Sequence, residues 1–256
     1  MTLSTFALDG LEIRDEKPFR KNAIYAALKG MLLRDGAIFR VLPPVQEGPA
    51  SWDRALFLNL TYWNADEPSD VLVEAAIDAD VVAHVGWHHA ARKALHPGGS
   101  TDALLLGEAI ASAFDLYLVG ILLASRIEAE FLESQVPAMA EAAEVGGLSP
   151  EGFERLLASV CADPGLAFED LRALLFDVTT ALVDCVDVDG ASAVFEAHES
   201  NRMSPLLHHF ALSAWVVSAQ RMGRAAAAHD PKVRGADREL RSAFRSIDWL
   251  VERWLP

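Results

Sequence analysis

Cysteine, basic side chains and unbroken apolar runs are all scarce in this chain, and each shortage removes a class of protein. Two cysteines in 256 residues, Cys161 and Cys185, cannot form a disulfide framework. They also rule out thiolate metal clusters, so any metal must be held by imidazole and carboxylate. Lys and Arg number 22 against 37 Asp and Glu, a formal net charge of -15, which lacks the basic stripe needed to displace counterions from nucleic-acid phosphates. The most apolar stretch, Ala109 to Ser125, is interrupted by Asp115 and falls short of the roughly 20 residues of a membrane span, so it reads as a buried helix. The opening MTLSTFALDGLEIRDEK has no basic region followed by an apolar one, and the cytoplasm is the expected compartment. There is no glycine-rich phosphate loop, no Gly-x-Ser-x-Gly elbow and no internal repeat.

What is present is a high apolar fraction, 52%, enough to bury a sizeable core. The expected class is α+β, mostly helical, with a mixed segment over residues 1–66 and a helical part over 67–256 forming one compact unit. Apolar residues recur at helical spacing from Pro18 to Leu33, and Asp35-Gly36 closes that helix. Ala37 to Leu42 and Arg54 to Trp63 read as strands of a small antiparallel sheet. From Asp70 to Leu95 one long helix is predicted, then a second that begins after Ser100-Thr101-Asp102 and runs to about Glu133, with Pro137 kinking or ending it. Further helices are expected at 149–161, 166–186, 204–228 and 234–254. Residues 220–256 carry 8 basic and 5 acidic side chains, so the acidity belongs to the body of the chain.

Four of the eight histidines, His84, His88, His89 and His96, fall within thirteen residues. His84 and His88 are four apart, which on a helix places both rings on one face where they can chelate a single ion. A third ligand must come from a neighbouring element. Glu108 lies early in the next predicted helix, and a short connection makes the two helices antiparallel neighbours. Other acidic groups are weaker candidates: Glu74, Asp78 and Asp80 read as a solvated face. Asp184, Asp187 and Asp189 resemble the start of a calcium loop, but its twelfth position is Phe195.

A helix with His-x-x-x-His, a turn, and a second helix with Glu twenty residues after the second His resembles the metal site of the thermolysin-type gluzincin metallopeptidases. The run Glu108-Ala109-Ile110-Ala111-Ser112 is similar to that family's Asn-Glu-Ala-Ile-Ser-Asp segment, and the resemblance covers Arg54 to Gly120. It implies a zincin-like helix pair behind a sheet edge, with His84, His88 and Glu108 as metal ligands. The family's motif is His-Glu-x-x-His, whose Glu is the general base; here that position is Val85. General-base assistance is worth about 10²- to 10⁴-fold, so ordinary peptidase turnover is not expected. The family's Asp, four residues after the Glu ligand, is Ser112.

Three readings stay open: a degenerate, non-cleaving relative that binds zinc; a two-histidine, one-carboxylate Fe(II) site for oxygen chemistry; or a hydrolase in which another residue replaces the base. His89, one turn after Val85, is a candidate base. His208 or His209 would reach the cleft from the C-terminal part to steady an oxyanion. If the chain is an enzyme, a metal-dependent hydrolase comes first and a non-haem iron oxygenase second, acting on a small molecule or peptide. The rival is a non-enzymatic helical protein without metal that binds a partner or forms a homo-oligomer through its apolar helix faces; neither nucleic acid nor membrane is expected as a partner.

Overall fold

The computed structural model describes residues 3–43, 54–56, 58, 59, 70–95, 100–207, 209–223 and 229–255. It is an α+β, mostly helical protein. Strands β1 (Ser4–Ala7) and β2 (Glu12–Arg14) precede helix α1 (Ala23–Arg34), and β3 (Ile38–Val41), β4 (Val71–Leu72) and β5 (Ala76–Asp78) follow. β1 pairs antiparallel with β3, whereas β3 pairs parallel with β4, and β2 parallel with β5. In place of the single antiparallel sheet expected, there is a three-stranded sheet of mixed strand direction, β1-β3-β4, and a separate parallel pair, β2-β5.

Helix α1 starts where the Asn22 side chain accepts from the amides of Ile24 and Tyr25, at 2.9 and 3.1 Å. It ends at Gly36, whose φ of +64° lets the Ala37 amide reach back to the Leu32 carbonyl. Arg54 to Trp63 departs from expectation: residues 54–56 and 58–59 are helical, and 57 and 60–63 lie outside the described residues. The Asn59 amide bonds both backbone groups of Val71, at 2.8 and 3.0 Å, so at that residue a side chain meets the edge of β4.

The predicted helix from Asp70 also starts late. Val71–Leu72 and Ala76–Asp78 form strands because β3 and β2 offer backbone partners there, and helix α2 (Ala79–Leu95) begins only after them. Glu74 and Asp78 both pair with Arg14, at 2.7 and 2.9 Å, which clips the two ends of that segment to β2.

Helix α3 (Thr101–Ala124) is capped by Ser100, whose hydroxyl accepts from the Ala103 amide. By length and composition it could cross a membrane, yet most of it is packed inside the protein, and it runs through the core. It stops short of Glu133 because Arg126 turns to a φ of +54°. Helix α4 (Glu130–Val145) then starts afresh and keeps Pro137 within it on the exposed side, so that proline ends nothing.

Helices α5 (Pro150–Ala162) and α6 (Pro164–Asp184) match the predicted pair closely. Helix α7 (Val188–His198) is unanticipated; Asp187, read earlier as part of a calcium-like run, is its N-cap at 2.8 Å from the Gly190 amide. A 3₁₀ turn at Ser204–Leu206 precedes α8 (His209–Gly223). The predicted 234–254 helix is two, α9 (Pro231–Ser242) and α10 (Ser246–Trp254), separated by extended backbone at Ala243.

One apolar cluster joins residues from β1 to α10. Within it α2 is pressed against α1: a Cβ built on Gly86 would stand 2.8 Å from Leu28 Cβ, so only glycine permits that approach. The N-terminus of α3 is tied to α9 by Asp102, buried, which accepts two bonds from Arg234 at 2.8 and 3.0 Å.

Candidate metal centre

His84 and His88 share one face of α2, with ring centroids 4.9 Å apart. Because α3 packs beside α2, Glu108 comes to the same place, and one donor atom from each of the three residues lies within 4.8 Å of the others. The cluster could hold a metal ion. Small residues make the approach possible: a Cβ on Gly107 would already be 3.4 Å from Ala91 Cβ and 3.8 Å from His88 Nδ1. His88 Nε2 is 3.2 Å from Glu108 Oε1.

The cluster continues along the seam between the helices. Asp115, seven residues after Glu108 and so on nearly the same face, places Oδ2 2.9 Å from His84 Nδ1. Its other oxygen, Oδ1, is buried without a hydrogen-bond partner among the described residues. The bond to Asp115 directs the Nδ1 side of His84 away from the cluster and leaves Nε2 as the nitrogen for ligation, the carboxylate–histidine arrangement that fixes ring orientation and raises ligand basicity. Asp80 stands one turn before His84 and interacts with Asp115. Asp70, just before β4, interacts with both His84 and Glu108 and lies on the Val85 side of α2.

These groups hold one another in unusual protonation states. Burial alone would lower His84, but the charge and hydrogen bond of Asp115 outweigh it and push the imidazole up to about 9. Burial, helped by the positive His84 and by Arg92, drives His88 well below its ordinary value. Glu108 is pushed up to about 8 by burial, with Asp70 and Asp115 adding to the shift and His84 opposing it. Asp80 rises to about 7 through burial and the nearby Asp115. At neutral pH the metal-free cluster therefore holds protons on His84 and Glu108, both of which a bound dication would expel.

A pH dependence follows for the metal-free protein. From about pH 6.5 the folded chain still carries protons on Asp80, Glu108 and His84 that the unfolded chain has released or is releasing; stability then falls until pH passes about 7, 8 and 9 respectively. Each such proton costs roughly 1.4 kcal/mol per pH unit. Denaturant unfolding in chelator should show lower stability at pH 9 than at pH 6.5, and a flat or rising profile would contradict this assignment of protons. Metal affinity should move the other way and strengthen with pH.

The remaining candidates lie elsewhere. His89 Nε2 contacts Asp35 Oδ2 at 2.7 Å beside Lys93, in a second cleft shared with Val85, Arg92, Arg40 and Asp70; the structure does not bring it to the His84–His88 face. His208 is outside the described residues; His209 opens α8, but its side chain is also outside them. His198 Nδ1 is 2.9 Å from the Val194 carbonyl within its own helix. Cys161 and Cys185 are free, and burial pushes the Cys161 thiol up, which does not suit a nucleophile.

Sequence reasoning did not assign roles to Asp115 and Asp70. For Asp115 a signal existed: it is the one charge inside the apolar run Ala109 to Ser125, a place where an acid is retained only with a partner. Nothing in the spacing around Asp70 points to the helix pair. Comparison of the chain with protein-family models, characterised proteins and solved structures finds no match.

Proposed function

We propose that this protein is a zincin-like metalloprotein in which His84, His88 and Glu108 hold a zinc ion, and that it does not act as a peptidase. The observation that carries the reading is the convergence of three ligating atoms within 4.8 Å, with Asp115 bonded to the far nitrogen of His84. That carboxylate–histidine pair is a recurrent companion of metal-bound histidine; the reason to prefer zinc over Fe(II) is the resemblance of the ligand spacing to the gluzincin site. The family's supporting Asp is replaced in kind: Ser112 stands at its position, and Asp115, one turn further along α3, supports His84.

Zinc held there would supply Lewis acidity to a bound oxygen. The chain's own part is to orient His84 through Asp115, to keep His88 neutral by burial and to hold Glu108 against α2. Val85 is buried and has no proton to give or take, which argues against peptide hydrolysis by the gluzincin route. A metal-dependent hydrolase acting on a small molecule is the activity the donor set fits best.

Elemental analysis of the purified protein tests the reading. About one zinc per chain is expected, lost for His84→Ala or Glu108→Ala, with zinc affinity about 10- to 100-fold lower for Asp115→Ala. A metal-free wild type that is equally stable with and without chelator would sink the proposal and leave a helical partner-binding protein as the reading.

A further inference from the structure

A cleft of about 490 Å³ lies on the face of α2 next to the one that carries His84 and His88. Val85, His89 and Arg92, at positions i, i+4 and i+7 of that helix, line it, and Arg40 of β3 and Asp70 line it from the sheet side. We infer that this cleft binds a small organic carboxylate, with the Arg92 guanidinium as its anchor.

Arg92 is the reason to expect an anion. It is half-buried, yet among the described residues it forms no hydrogen bond and no ion pair. By contrast, the buried Arg172 and the half-buried Arg234 are each gripped by carboxylates through two or more bonds. Burial lowers Arg92 from its ordinary value, and the charge of Asp70, which does not pair with it, only opposes that shift. A guanidinium withdrawn from water without a counter-ion costs free energy, and an oxyanion in the cleft would offset that cost. Access is open: the Arg92 nitrogens, unlike the indole nitrogen of Trp87, are not sealed from the surface, and the residue lines the cleft.

The other charges of the cleft select the kind of anion. His89 Nε2 and Lys93 Nζ are already engaged, both on Asp35, at 2.7 and 2.5 Å. Asp70 still faces the cleft, and burial pushes its carboxyl up, toward the neutral form. A planar carboxylate takes two parallel bonds from one guanidinium and brings a single negative charge near Asp70, whereas a phosphate monoester would bring nearly two. Ile38, half exposed at the cleft, and Val85 offer apolar wall for a hydrocarbon body. The volume is that of a small-molecule site. The inference rests on this cleft and on Arg92; it does not need a metal at His84.

Calorimetric titration of the full chain near neutral pH with 4-methylbenzoate, 4-methylbenzamide and phenyl phosphate, in chelator and again with zinc, tests it. The acid should bind at one site per chain, about tenfold more tightly than the amide or the phosphate, and equally with and without zinc. Arg92→Met, which keeps the length of the side chain and removes its charge, should abolish the preference for the acid. Arg92→Lys, which keeps the charge and loses the fork, should retain part of it. Urea unfolding of both variants reports that they are folded. Absence of saturable binding of the acid, amide or phosphate binding as tightly as the acid, binding of the acid only when zinc is present, or a folded Arg92→Met protein that keeps the preference would overturn the inference. Zinc content is read separately in each sample, so a failure of the metal reading shows as missing zinc while the cleft result stands on its own.

Discussion

Replacing Arg172 with alanine is expected to lower the free energy of unfolding by about 3–5 kcal/mol, because it leaves the buried Asp237 and the half-buried Glu169 without their counter-charge. The Arg172 side chain is fully buried. Its Nη1 donates to Asp237 at 2.8 Å, while Nε and Nη2 together grip Glu169 at 2.7 and 2.6 Å. Asp237 also accepts from Arg241, which continues to Asp177 at 2.8 Å, so five charged groups stitch α6 to α9. Such a network is no proof of net stabilisation, since desolvating the charges offsets much of their attraction. Removing one member is different: the partner's desolvation remains and its attraction is lost. Urea unfolding of Arg172→Ala measures the effect, and the double variant Arg172→Met with Asp237→Leu should recover part of it. A loss below about 1 kcal/mol for Arg172→Ala would mean that water or Arg241 compensates fully.

Trp87→Ala should cost a similar amount, about 3–5 kcal/mol, for an apolar reason. The indole is fully buried in the seam between α2 and α3, edge-on to Phe114 with centroids 5.5 Å apart, and Phe114 stacks on Tyr117 in turn. Truncation leaves a cavity next to His88 that the packed helices can close only in part. The spacing of α2 and α3 sets where Glu108 meets the two histidines, so metal affinity should fall along with stability. Trp87→Phe makes the contrast. It retains most of the volume and removes an indole N–H that has no partner among the described residues, so a cost under about 1.5 kcal/mol is expected. Unfolding and zinc titration on both variants check this, and a Trp87→Ala protein with unaltered stability would show that the seam does not depend on this ring.

The two assignments read most directly from the chain were the α1 terminus and the histidine pair. Asp35-Gly36 ends α1 because a positive φ is needed there, a local requirement that one residue type announces. His84 and His88 share a face because helical periodicity puts them there, whatever else the protein does. The segments that went another way did so for non-local reasons. Val71–Leu72 and Ala76–Asp78 are strands because β3 and β2 lie alongside, and their helical spacing could not compete with a waiting backbone ladder. Arg54 to Trp63 has strand-like composition, yet its described residues are helical and Asn59 meets β4 by its side chain. Propensity within a short window carries little free energy compared with pairing and burial.

The same division runs through the metal cluster. Scarce cysteine and a His-x-x-x-His followed by Glu at helical positions are properties of the chain, and they suffice to nominate imidazole and carboxylate as the ligands. That Asp115 backs His84, that Asp70 bears on the cluster from the strand side, and that His89 turns instead to Asp35 depend on how α2 and α3 pack against each other and against the sheet. Periodicity along one helix is written into residue order, but the rotation and depth of two helices in contact are set by which side chains fill the seam, here Gly107, Ala91, Trp87 and Phe114. Those contacts join residues far apart in the chain, and no local pattern encodes them.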